Sequence, residues 1–245
     1  MRGIDQYIKN IVDEPDCREE VEWSNFWYDY AENETKKRVL LIGDSTVRMI
    51  RGTLSSRYGI AVDMLGSSAG MHDILFISQI NAFFSSVKYS YDVVFIQLGH
   101  HSRKGKLGGG DLVEEDYITF EADYSGLIDF LSQYTKHIIL LSIFDSIIVP
   151  AYYKGKNIFL NIMMKYINRM IIMIKRQTGD ISINSITQRR NRIIEQLAHK
   201  RNIEFCDINQ IMKTTHYKRI DHIHFQRVAR IFICKQYAKY IDHIV

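Results

Sequence analysis

Five short apolar runs recur along the chain, each bounded by charge or glycine, and longer segments with helical periodicity lie between them. Arg38 to Ile42 (RVLLI) is largely apolar, with Lys36–Lys37 before it and Gly43 after it. Ile60 to Leu65, Asp92 to Leu98 (DVVFIQL), His137 to Ile143 (HIILLSI) and Ile203 to Ile208 follow the same plan. Compact apolar runs of this kind predict strands buried on both faces, as in a parallel sheet. Segments 46–58, 74–87, 117–134, 157–175, 185–201 and 226–241 predict helices. Strands alternating with helices imply βαβ units. Right-handed crossovers then give an α/β, three-layer α/β/α sandwich around a mostly parallel five-stranded sheet.

The first 36 residues are polar and aromatic, with Trp23, Phe26, Trp27, Tyr28 and Tyr30 among them. They are expected to pack as a segment on a main domain spanning 37–245. Pro150 marks the entry to a helical insertion at about 150–180. The helix at 157–175 is apolar nearly all round, which fits core packing, a homodimer interface or a membrane-surface contact.

Composition narrows the class. A chain of 245 residues with 46% hydrophobic residues can bury a full core, and 24% charged residues is ordinary for a globular protein. The net charge of +4 favours an anionic substrate or surface, but it is far from the footprint of a nucleic-acid binder. Cys17, Cys206 and Cys234 are scattered and lack CxxC spacing, so free thiols are expected rather than disulfides or a zinc site. The N-terminal residues lack the apolar core of a signal peptide, and no uncharged apolar stretch reaches 18 residues. No integral membrane segment is expected, and the cytoplasm is the expected location. No Walker A sequence occurs and no GxGxxG follows the first strand, so neither a nucleotide cofactor nor any other is expected.

In open α/β sheets, sites gather beyond the carboxyl ends of the strands. The first strand ends in Gly43–Asp44–Ser45, the second in Leu65–Gly66–Ser67–Ser68–Ala69–Gly70 and the third in Gly99–His100–His101–Ser102. Asp221–His222–Ile223–His224 precedes the last helix. A serine at a strand-to-helix turn can attack an acyl carbon while helix-start N–H groups hold the developing oxyanion. It needs a base, and a histidine three residues from an oriented carboxylate supplies one. Ser45, His224 and Asp221 are therefore the candidate catalytic residues. The N–H groups of Ser45 and Gly70 and the side chain of His101 are the candidate oxyanion hole. Each has a plainer reading as well: a helix cap for Asp44 and Ser45, a turn for Gly70, solvated loop residues for His100 and His101. His72, His100, His101, His216, His222 and His224 could also gather near the site, but no metal-binding spacing such as HExxH is present and no metal is expected.

These blocks, in this order, resemble the SGNH, or GDSL-like, hydrolases over about residues 38–241. GDS at Gly43–Ser45 matches the family's first block, SSAG at Ser67–Gly70 aligns with the second, and DxxH at Asp221–His224 matches the last. The third block, G-x-N-D in the family, reads Gly99–His100–His101–Ser102 here, so a histidine stands at the oxyanion asparagine. The resemblance implies a flavodoxin-like fold and an esterase acting through an acyl-serine. The GDSxxR form, Gly43 to Arg48, resembles more loosely a branch acting on polysaccharide O-acetyl groups. A glycan or small-molecule ester is then the expected substrate. An O-acetyltransferase and a non-catalytic carbohydrate-binding module are the alternatives. Arg48 is read either as a ligand for a substrate carboxylate or as a structural charge. Asp44, His100 and His222 are further candidates for substrate contact.

Overall fold

In the computed structural model the buried runs form the middle of a six-stranded sheet. The structure describes residues 23–30, 36–87, 89–101, 114–146, 181–215, 217–220 and 223–244. The strands are β1 (Ser24–Trp27), β2 (Arg38–Gly43), β3 (Ala61–Ser67), β4 (Val93–Gln97), β5 (Ile138–Leu141) and β6 (Glu204–Cys206). The described helices are α1 (Ser45–Tyr58), α2 (Ile74–Ser85), α3 (Glu114–Leu131), α4 (Ile181–Arg201), α5 (Ile208–Lys213) and α6 (Arg227–Ile244). The expected helix at 157–175, and with it the insertion and any dimer contact, lies outside the described residues.

Strand order is β1-β3-β2-β4-β5-β6, and every pairing except β1 with β3 is parallel. The five parallel strands thus follow the flavodoxin-like order 2-1-3-4-5, whose switch point lies between β2 and β4. Every residue of β2, β3 and β4 is buried, as strands covered on both faces must be. Alternate residues feed two cores. Leu40, Ile42, Val94 and Ile96 pack with Phe76, Phe83, Tyr124 and Ile194 from α2, α3 and α4. Val39, Leu41, Val93 and Phe95 pack with Val47, Leu54, Ile233 and Tyr237 from α1 and α6.

Two elements correct the sequence reading. The sheet has six strands rather than five, because part of the aromatic N-terminal segment pairs antiparallel with the outer edge of β3. This strand, SNFW, is mostly exposed and carries no buried run to announce it. Its neighbours are fixed by packing: Tyr28 stacks on Phe83 at 4.8 Å, and the backbone N–H of Asp29 donates to Asp63 Oδ1 at 2.8 Å. The short α5 follows β6, where the Asp207 carboxylate accepts from Gln210 N and caps a six-residue turn.

Register fixes where the strands end. Gly43 lies level with Gly66 of β3 and Gln97 of β4. The segments that follow these residues leave the sheet side by side at its carboxyl edge.

Candidate active site

β2 delivers the chain to this edge at Gly43, where no side chain fits. A Cβ there would lie 2.7 Å from Gln97 O and 2.7 Å from a Val47 methyl. Asp44 then caps α1: its Oδ1 accepts from Thr46 N at 2.8 Å and from Thr46 Oγ1 at 2.7 Å. Asp44 is 2% exposed and its Oδ2 is buried without a hydrogen-bond partner. It supports the turn rather than presenting a face to a bulky ligand. Ser45 follows as the first residue of α1 and is half-buried. Thr46 N–H is taken by the cap, whereas Ser45 N–H donates to no described residue.

The Oγ of Ser45 lies 2.6 Å from Nε2 of His224, a residue 179 positions away. His224 belongs to a tight loop before α6. Ile220 N donates to His224 O at 2.7 Å, Gln226 N donates to Lys218 O at 3.1 Å, and Arg219 bridges Phe225. Phe225 anchors the loop in the core against Phe144, with ring centroids 5.0 Å apart. Arg219 stacks over Phe225 at 4.5 Å and donates to the backbone carbonyl of Asp145. Asp221 and His222 lie outside the described residues.

Gly70 sits half-buried in the turn after β3. Its N–H donates to no described residue, while its carbonyl accepts from Asp73 N at 3.0 Å. This turn is held from both sides. Trp23 N donates to Ser68 Oγ at 2.8 Å, and His72 Nδ1 lies 3.7 Å from Asp123 Oδ2 with both side chains buried. After β4 the chain turns at Gly99 with φ 134°, and a Cβ there would meet Ile143 Cδ1 at 2.3 Å. Arg190, 5% exposed, reaches from α4 to donate to Gly99 O at 2.7 Å. His100 and His101 follow, both half-buried. Burial pushes the pKa of His100 down to about 4, and its Nε2 has no hydrogen-bond partner.

Arg48 lies against β1 and the residue before it, over the Trp23 ring at 4.9 Å and 3.4 Å from Asn25 Oδ1. Cys206 and Cys234 are free and buried, and Cys17 lies outside the described residues. Among the described residues no group of three or more His, Cys, Asp or Glu could hold a metal ion. No described helix is long and apolar enough to cross a membrane.

Several supports of the edge carried no signal in the sequence. Gln97 Nε2 donates to Ser142 O at 2.8 Å, Ser142 Oγ donates to Asp207 Oδ1 at 2.8 Å, and Asn209 N donates to Ser142 Oγ at 2.8 Å. Asn209 also accepts from Asp145 N at 2.9 Å. A continuous polar chain thus runs from the end of β4 to Asp145, whose carbonyl holds Arg219 beneath the His224 loop.

No protein-family model matches the chain, and no curated protein matches it. Solved structures do. A GDSL-like lipase from Bacteroides thetaiotaomicron is similar at a TM-score of 0.56 and 16% identity, over 85% of this chain and 89% of that one. A variant of Axe2, an acetyl xylan esterase from Geobacillus stearothermophilus, gives 0.52 and 16%, over 84% and 94%. LAE5, an α/β hydrolase enzyme from the metagenome of Lake Arreo, gives 0.50 and 12%, over 85% and 96%. The chain therefore has the SGNH, or GDSL-like, hydrolase fold, with its serine and histidine meeting at the carboxyl edge of the sheet.

Proposed function

We propose that this protein is a serine-dependent O-acyl esterase acting on carbohydrate-type esters, most simply O-acetyl groups. The observation that carries the reading is the 2.6 Å contact between Ser45 Oγ and His224 Nε2. Such a contact between residues so distant in sequence has the geometry of a nucleophile and its base. Its position at the switch point of the sheet, and the likeness of the fold to an acetyl xylan esterase and a GDSL-like lipase, support the same reading.

Ser45 Oγ attacks the ester carbonyl carbon as its proton passes to His224 Nε2. Asp221 holds the imidazole in the tautomer that leaves Nε2 free to accept, and it stabilises the imidazolium that forms. The N–H groups of Ser45 and Gly70, with the His101 side chain, receive the tetrahedral oxyanion. As the intermediate collapses, the C–O bond breaks and the departing alkoxide takes the proton from His224. Water, deprotonated by His224, then attacks the acyl-serine, and the acid leaves as Ser45 Oγ takes the proton back from His224. An acceptor hydroxyl in place of water would make the same acyl-enzyme a transferase.

The test is hydrolysis of p-nitrophenyl acetate by wild type, Ser45→Ala and His224→Ala. Wild type is expected to turn over, and each variant to lose about 10³-fold or more in kcat. A fluorophosphonate probe is expected to label wild type at Ser45. Equal rates for all three proteins together with no labelling would overturn the reading.

A further inference from the structure

A groove of about 810 Å³ runs between β1 and α1. Its walls carry the guanidinium groups of Arg48, Arg51 and Arg230, and the indole of Trp27, which is 50% exposed. Among the described residues no acidic one lines it. Arg48 is one helical turn from Ser45, so the head of the groove adjoins the helix start that carries the serine.

The three arginines are not equivalent. Arg51 is 3.5 Å from Asp29 and covers Trp27 at 4.1 Å, so its charge is already matched. Among the described residues Arg48 touches an amide oxygen and the Trp23 ring. Arg230 reaches only the carbonyl of Met49, at 3.5 Å, and its Nε is buried without a partner. Among the described residues neither pairs with a carboxylate, which leaves two guanidinium groups there uncompensated. Gly52 lies on the groove wall in the middle of α1, where glycine is disfavoured. Packing does not demand it, since a Cβ there would meet nothing within 4 Å. What the missing side chain does is keep the groove clear.

We propose that this groove binds the acidic portion of a glycan: sugars bearing carboxylates, held by Arg48 and Arg230, with a ring face against Trp27. Guanidinium forks match carboxylates, and an exposed indole offers a flat apolar face to a sugar ring. Ser24, Asn25 and Thr53 add neutral groups suited to hydroxyls. A nucleic acid would call for a longer basic track than two free arginines in a chain of net charge +4. That the bound glycan's ester lies at Ser45 rests on the esterase reading above; the binding itself does not.

Calorimetric titration of the Ser45→Ala protein reads binding without turnover. Tetragalacturonate is expected to bind at least tenfold more tightly than xylotetraose at low salt, and to weaken as sodium chloride is raised. Arg48→Gln combined with Arg230→Gln is expected to cost at least tenfold. Gly52→Tyr, which obstructs the groove without changing charge, is expected to cost as much. Equal affinity for the two tetrasaccharides, affinity kept in both variants, or tighter binding of polyuridylate would each overturn the proposal. Arginine-dependent binding of tetragalacturonate without any ester hydrolysis by wild type would sink the esterase reading and leave the groove standing. Hydrolysis without such binding would do the reverse.

Discussion

The ring of His100 turns inward at the mouth of the site, with its Nε2 shut away from water and unbonded. Burial is the main cause of its low pKa, about 4, and the Asp44 carboxylate acts in the other direction. In the unfolded chain the same ring titrates near 6.5. Between these values the unfolded chain binds more protons than the folded one. The stability associated with neutral His100 is therefore complete above about pH 6.5 and is lost as the pH falls toward 4. The loss is on the order of 3 kcal/mol at its limit. Urea midpoints followed from pH 7 to pH 4.5 are expected to fall more steeply for wild type than for His100→Gln. Parallel curves would mean that the imidazole meets water after all.

Elements differ in how openly the sequence declares them. β2, β3 and β4 were legible because strands covered on both faces must be apolar, and glycines close two of them. Ser45 was legible because it sits where an apolar run gives way to a helix, and His224 because it ends a DxxH spacing just before the last helix. β1 was not, since SNFW is held by pairing and aromatic contacts from Phe83, more than fifty residues away. Nor was the polar chain through Gln97, Ser142, Asp207 and Asn209, whose members are ordinary residues until the fold joins them. Arg219 is the clearest example, for its neighbours in sequence give no hint that it holds the His224 loop to the carbonyl of Asp145. In the proposed mechanism it is a positioning residue. Arg219→Ala is expected to lower kcat for p-nitrophenyl acetate by about tenfold or more with little change in KM. Arg219→Lys is expected to restore part of the loss. An unchanged kcat would show that Phe225 alone suffices as anchor.

At the scale of the whole sheet, the Ser45–His224 pair lies beyond the carboxyl edge, and a buried ionic cluster lies toward the opposite end. Toward the amino end of β3, Asp63 is fully buried and accepts from Arg38 Nη1 at 3.0 Å, Tyr89 Oη at 2.6 Å and Tyr91 Oη at 3.0 Å. Arg38 is itself 2% exposed, and it stacks on Tyr89 at 4.0 Å. Removing the carboxylate strands a buried guanidinium. Asp63→Ala is expected to cost about 3–5 kcal/mol in a denaturant titration. The esterase rate per folded molecule is expected to stay near wild type, since the Ser45–His224 contact lies beyond the other end of the strand. A loss of rate without a loss of stability would contradict that division.

β1 carries a consequence of another kind. β3 is buried along its whole length, and β1 is what occupies its outer backbone edge. A chain clipped just before Lys36 would present β3 as a bare row of N–H and C=O groups, apolar on both flanks, to any other molecule with a free edge. The four residues of β1 therefore replace a long apolar edge with a short, mostly exposed one, and proteolytic loss of this strand would lay β3 open as a template for edge-to-edge aggregation.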